Sequence, residues 1–267
     1  MHMNKRLAGD LYVGIVSLVL NEEGKLQIDD KWLVVDWLVK MKRIPEENLL
    51  DYAIRHQIAD KRMVKGAAML LAEFYKNALP VHMNPDLYRK KLKDKIIATQ
   101  ADLLHPLYHL PIGLIEQISK NLVHFLNNHY LLFDERVTHG KIIEAHGDLK
   151  PEHICLLPRP AIIDSLEFNR ELRIMDLAEE LSFLDMECEM MGDFITGRQF
   201  FDTYEKVTND DIPGSLILFY KTKKALLCTW LVASHVMEAG YKEEPKWLEK
   251  ANTCLQLAKK YNDKLYG

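Results

Sequence analysis

The chain has 267 residues, 48% of them hydrophobic and 28% charged, with a formal net charge of −4. That length holds one large domain or two smaller ones, and the balance is that of a globular chain with a substantial core. The mild negative charge excludes the strongly basic character expected of a nucleic-acid-binding protein. Two short basic runs, Arg89–Lys95 and Lys221–Lys224, read as solvated helix faces.

Four cysteines (Cys155, Cys188, Cys228 and Cys254) are widely spaced and form no CxxC pair. This argues against a zinc knuckle, a thioredoxin-type site or a disulfide framework, and makes a reducing cytoplasm the expected compartment. Near the N-terminus Lys5 and Arg6 precede the apolar run LYVGIVSLVL. Asp10 interrupts the junction, and no small-residue cleavage site follows before Asn21–Glu23, so a signal peptide is not expected. No stretch approaches the roughly 20 apolar residues that cross a bilayer, so no membrane partner is expected either.

In chain order, Leu11–Leu20 and Trp32–Leu38 are rich in Val, Ile and Leu and predict two strands. The turn-forming NEEGKLQIDDK between them predicts a hairpin. Trp32 and Trp37 flank the second strand and read as core. From Pro45 the periodicity becomes helical: Met63, Ala67, Leu70, Leu71 and Phe74 mark one helix over 62–77, and Ile118, Leu122 and Phe125 another over 114–131. Gly140 breaks the pattern. Residues 142–164 then read as short strands and a loop, punctuated by Pro151, Pro158 and Pro160. Helical periodicity returns over 175–184, 194–204, 216–237 and 247–261. Pro213-Gly214 separates two of these helices, and Gly240 with Pro245 separates the last two.

The stretch HGDLKPEHICLLPRPAIID, from His146 to Asp164, carries the chemistry. Phosphoryl transfer needs a carboxylate to orient the attacking hydroxyl and take its proton, and further ligands to hold magnesium against the phosphates. Asp148, on a loop after a strand, has the position of such a base. Asp164, at the end of the apolar strand AIID, has the position of a metal ligand, and the intervening strand and turn would bring the two together. His146 reads as a buried structural residue. Glu167 reads equally as a site residue or as a partner in a surface ion pair.

HGDLKPEH resembles the HxDxxxxN loop of the aminoglycoside phosphotransferases and the related choline, homoserine and fructosamine kinases. IIDSLEFNRELRIMDLAEELSFLDME, NKRLAGDLYVGIV and WLVVDWLVKMKRIP are similar to one branch of that superfamily, often fused to a P-loop kinase domain. The resemblance implies an α+β, protein-kinase-like fold: an N-lobe remnant over 1–40 and a helical C-lobe over 41–267. It implies an ATP-dependent phosphotransferase acting on a small-molecule hydroxyl substrate, with ATP and Mg2+ as cofactors. Asp148 would be the base, Lys150 would lie near the γ-phosphate, and Asp164 would chelate magnesium. Asp36, Trp37 and Leu38 would be the hinge that binds adenine through its backbone. Asp176 would cap its helix and brace the loop.

The chain departs from the pattern in two ways. His153 stands where Asn should be the second metal ligand, and imidazole suits zinc, nickel or manganese better than magnesium. The Gly-rich loop, the strand lysine and the helix glutamate of the N-lobe have no room before residue 4, and no GxxxxGK[ST] motif occurs, so a P-loop domain is expected to be absent. An incomplete N-lobe would leave Val13, Ile15, Leu18 and Leu20 on an open edge, covered by a homodimer, a partner chain or a rearranged N-terminus. Three functions follow: the phosphotransferase; a pseudokinase-like binding module; and a metal-dependent hydrolase using His146, Asp148, His153 and Asp164 as ligands.

Overall fold

A computed structural model describes residues 4–28, 31–237 and 245–267. Gly240, read above as a separator of helices, lies outside the described residues. The chain divides into two compact units that interleave in sequence. The first takes its described residues from Met1–Ala78, Ala145–Arg173 and Glu187–Asn209, and the second from Leu79–Glu144, Ile174–Met186 and Asp210–Gly267.

In the first unit a short helix α1 (Asn4–Ala8) leads into β1 (Tyr12–Leu20), followed by β2 (Leu26–Ile28) and β3 (Leu33–Met41). All pair antiparallel in the order β2-β1-β3, with Ser17 opposite Trp37 and Val19 opposite Gln27. The expected hairpin is therefore a three-stranded sheet. The Asn21 side chain accepts from the Glu23 and Lys25 backbone N–H groups and tightens the turn, which leaves Leu26–Ile28 long enough to pair. β2 pairs β1 only over Leu18–Leu20, so Leu18 and Leu20 have a strand on both sides, whereas Val13 and Ile15, each 53% exposed, have one only on the β3 side among the described residues. The other edge of the sheet is β3, every residue of which is exposed. Trp37 is 63% exposed and Trp32 37%, so neither is core.

After β3 the chain forms α2 (Leu50–Arg55) and α3 (Lys61–Lys76). Asp60 caps α3 by accepting from the Arg62 and Met63 N–H groups. The apolar face of α3 packs on α9 (Thr196–Thr208), where Tyr75 meets Tyr204 edge-on at 6.0 Å. A two-stranded hairpin, β5 (Ile154–Cys155) with β6 (Ala161–Ile162), and the short helix α7 (Arg170–Arg173) complete this unit.

The second unit is mainly helical: α4 (Pro85–Leu103), α5 (Ile112–Asn128), α6 (Tyr130–Thr138), α10 (Gly214–Ser234) and α11 (Pro245–Tyr266), with β4 (Ile142–Glu144) pairing β7 (Ile174–Asp176). Helix α8 (Leu177–Met190) begins here and its last residues belong to the first unit. Phe125, Phe133, Phe219 and Tyr220 form an aromatic core, with Phe125 and Phe219 stacked at 5.5 Å. Gly140, at φ +69°, makes the break after α6, and a Cβ there would lie 2.9 Å from Pro80 Cγ. The helical reading over 175–184 began one strand too early: Met175 faces Ile143 across the β4–β7 ladder, whose local pairing overrides the periodicity.

Asp176 caps α8 as expected, accepting from the Ala178 N–H at 2.9 Å. Both its oxygens also accept from Arg136, and Tyr220 donates to it at 3.1 Å. Arg136 in turn donates to both oxygens of Asp210. Two carboxylates and one guanidinium, all buried, thus share a bidentate network. The run Lys221–Lys224 is not a solvated face: Lys221, Lys223 and Lys224 are buried, with Asp185 and Glu179 as counter-charges. Among the described residues no helix is long and apolar enough to cross a membrane.

Candidate active site

The segment 146–164 folds over a small core of Ala8, Tyr12, Cys155 and Ala161. It starts at Gly147, whose φ of +92° suits glycine. A Cβ there would lie 2.9 Å from Arg173 Cγ and 3.1 Å from Leu166 Cδ1. His146 is fully buried. Its Nε2 lies 2.8 Å from the Ile163 carbonyl, and Nδ1 accepts from the Asp148 N–H at 3.3 Å. That hydrogen-bond pattern fixes the Nε2–H tautomer and leaves no nitrogen for a metal, in line with the structural role read from the sequence.

Asp148 and Asp164 flank the β5–β6 hairpin, and His153 links them. From a 3-10 turn at Pro151–His153, its Nδ1 lies 2.6 Å from the Asp148 carbonyl, while Nε2 lies 3.5 Å from Asp164 Oδ2 and 3.7 Å from Glu152 Oε1. With Nδ1–H donating, the Nε2 lone pair faces two carboxylates, an arrangement that a cation between them completes. The Asp148 carboxylate pairs with Lys150 Nζ at 3.0 Å, both side chains about 30% exposed. Burial would lower the Lys150 pKa, but Asp148, then Glu152 and Glu187, together raise it. Glu187 was not singled out from the sequence, because its helical spacing alone does not distinguish it from a surface residue of α8.

Asp164 sits in the left-handed region at φ +64°, a strained position for a non-glycine residue, and its carboxylate is 75% exposed. Two distant residues hold this backbone. The Asp164 N–H donates to the Tyr12 hydroxyl at 2.9 Å, and the next N–H, of Ser165, donates to Asn4 Oδ1 at 2.7 Å. Burial, followed by the Asp164 charge, raises the Tyr12 pKa and keeps the phenol intact, though the Asp164 N–H opposes the shift. Glu167 Oε1 accepts from the Asn4 N–H at 3.0 Å.

The proposed hinge residues lie elsewhere in this unit. Asp36, Trp37 and Leu38 are in the middle of β3, opposite Leu18, Ser17 and Val16, and the chain leaves the strand only after Met41. Trp37 N–H donates to Asp36 Oδ1 at 2.7 Å. A cavity of about 450 Å3 in the same unit is lined by Ile54, Val64, Met191, Phe194 and Ile195 among others, and by none of the loop residues.

Among the described residues no group of three or more His, Cys, Asp and Glu side chains gathers as a metal cage. The four-ligand hydrolase site is therefore not assembled: both nitrogens of His146 are engaged and Lys150 occupies Asp148. What remains, Asp164 with His153, is too sparse for a resident metal. It fits a cation that brings phosphate oxygens of its own, since magnesium is commonly held by one or two carboxylates plus substrate phosphates.

A small antiparallel sheet and a mainly helical body define the class: the chain is an α+β protein with a kinase-like fold. It aligns with glucosamine kinase in complex with glucosamine, ADP and inorganic phosphate at a TM-score of 0.50 and 13% identity, over 81% of this chain and 60% of that one. The GDP and kanamycin complex of APH(2")-IIIa matches 96% of this chain and 82% of its own at 18% identity and a TM-score of 0.49. In sequence, uncharacterized proteins of Mycobacterium tuberculosis and Mycobacterium bovis are 26% identical over 232 residues, which is 84% of this chain. The chain spans 44% of the length of these relatives. No family model matches it.

Proposed function

We propose that this chain binds a nucleoside triphosphate with a divalent cation and transfers the terminal phosphoryl group to a small-molecule hydroxyl. The observation that carries the reading is the His153 link between Asp148 and a left-handed, exposed Asp164. Asp148 would take the hydroxyl proton as the hydroxyl oxygen attacks the γ-phosphorus. The bond to the β,γ-bridging oxygen breaks and its electron pair leaves with the nucleoside diphosphate. Lys150 would exchange Asp148 for a phosphate oxygen. Asp164, with His153 as second donor, would hold the cation that arrives with the triphosphate, and that cation would neutralise phosphate charge. The base would lie along the outer edge of β3 at Asp36, Trp37 and Leu38, displacing the Asp36 carboxylate from the Trp37 N–H.

One observation favours a second reading, a binding module without transfer. Asp148 is ion-paired with Lys150, which occupies a carboxylate oxygen that a hydroxyl would have to approach. Production of ADP from ATP with a panel of sugars and amino alcohols separates the two. Turnover that falls by about 10²–10⁴ in Asp148→Asn supports transfer. ATP-dependent stabilisation without turnover supports the module, and full turnover in Asp148→Asn removes the assignment of the base.

A further inference from the structure

Strand β3 closes the sheet on one side: among the described residues no strand lies beyond it, and all nine of its residues are exposed. Two hydrogen bonds show which of its backbone groups face outward. Lys42, just past the strand, donates its N–H inward to the Leu11 carbonyl at 2.8 Å. The Trp37 N–H goes instead to the Asp36 carboxylate at 2.7 Å. From Asp36 to Met41 the ladder with β1 skips no residue of β3, so inward and outward groups alternate. Trp37, Val39 and Met41 therefore turn their N–H and C=O groups outward, and Asp36, Leu38 and Lys40 turn theirs toward β1. An edge N–H that takes its acceptor from a neighbouring side chain is one that an added strand would satisfy.

Two copies of this edge can pair antiparallel about a two-fold axis, and the sequence of the strand selects the register. Hydrogen-bonded pairs must join outward residues to outward residues, which leaves few choices. Asp36 on the axis would face its own copy, and Lys40 on the axis would do the same; like charges directly opposite are destabilising. Trp37 on the axis puts Asp36 opposite Leu38, and Val39 on the axis moves Asp36 opposite Lys42, beyond the strand. Leu38 on the axis puts Asp36 opposite Lys40, and symmetry makes the pair twice. Both fall in non-hydrogen-bonded positions, where opposing side chains come closest. The same register sets Trp37, 63% exposed, against the second copy's Val39, and symmetry again doubles the contact. An aromatic ring facing a β-branched side chain across a ladder is a favourable pair. Charge and apolar complementarity thus choose one register.

We propose that this chain forms a two-fold dimer with a second copy of itself by antiparallel pairing of β3 about Leu38, joining two three-stranded sheets into one. Main-chain hydrogen bonds supply the attraction, and the Asp36–Lys40 pairs fix the register. The inference does not rest on the phosphotransfer reading. Pairing takes up the Trp37 N–H and so competes with a nucleotide base at that edge, and the test contains no nucleotide. Sedimentation equilibrium of the full chain should show monomer and dimer with a Kd on the order of 10 μM, the weak class of interfaces below about 1,200 Å2. Asp36→Lys sets like charges opposite each other at both contacts and should weaken the dimer at least about tenfold, as should Lys40→Asp. Asp36→Lys combined with Lys40→Asp restores the complementarity and should bring Kd back to within about threefold of wild type. Both positions are exposed, so the monomer should keep its Tm in all three variants. A chain still monomeric at about 200 μM, a dimer undiminished in Asp36→Lys, or a double variant no tighter than either single one overturns the proposal.

Discussion

His153 Nδ1 lies 2.6 Å from the carbonyl oxygen of Asp148, so the imidazole is oriented by the backbone of the residue assigned as base. Its other nitrogen is thereby committed to face Asp164. Replacing His153 changes the donor offered to a cation while leaving both aspartates in place. With ATP present, manganese should stabilise the wild-type chain more than magnesium does, because a ring nitrogen favours the softer ion. His153→Asn should reverse that order. Thermal shift with each metal–ATP pair measures it, and an unchanged order in the variant would remove His153 from the cation site.

Gly147 combines a positive φ with a neighbourhood that leaves no room for Cβ. Gly147→Ala should cost about 1–3 kcal/mol of stability and displace Arg173 or Leu166. Urea unfolding gives the loss. The same substitution at Gly24, where φ is also positive but nothing lies within 4 Å, should cost less and provides the reference.

Arg136 holds two buried carboxylates at once. Arg136→Leu strands Asp176 and Asp210 and should cost about 3–5 kcal/mol. Chemical denaturation measures the loss, and a cost below about 1 kcal/mol would mean that the two carboxylates do not depend on Arg136.

Lys223 and Glu179 give the stability curve opposite signatures at its two ends. Glu179, held at about 2 against an ordinary 4.5, contributes stability that is present above pH 4.5 and lost as pH falls toward 2. Lys223, at about 8 against 10.5, binds its proton more weakly in the folded chain. Between pH 8 and 10.5 the unfolded chain carries more of that proton, so this residue makes stability rise with pH, by at most about 1.4 kcal/mol per pH unit. Above pH 9 the raised pKa values of Cys155, Tyr88 and Tyr220 act in the opposite direction. The Lys223 contribution should therefore appear in the difference between wild type and Lys223→Met, measured by denaturant unfolding at pH 8 and 9.

The residues that could be read in advance are those whose chemistry is local. His146, Asp148, Lys150, His153 and Asp164 fall within 19 consecutive positions, and a hairpin of two-residue strands is enough to bring them together. Asn4 and Tyr12 could not be found that way, because they reach Ser165 and Asp164 across some 150 residues and no local pattern encodes the contact. Long helices such as α3 and α5 were legible from their apolar spacing. Strands β2 and β7 were not, since three residues carry too little periodicity and each is defined by its partner. The lysines at 221–224 misled because composition suggests water, and burial there depends on acids 36–45 positions earlier on α8.

The fully exposed strand β3 has a consequence for handling the protein. Leu33, Val35, Trp37 and Val39 stand in solvent on a nine-residue edge whose outward backbone groups have no strand beside them among the described residues. Such an edge is a template for any other extended chain, including a growing stack of its own copies. Asp36 and Lys40 are the only charges on the strand to oppose stacking. Shelf life should therefore depend on concentration more steeply than on temperature, and a single lysine at Val35 should prolong it.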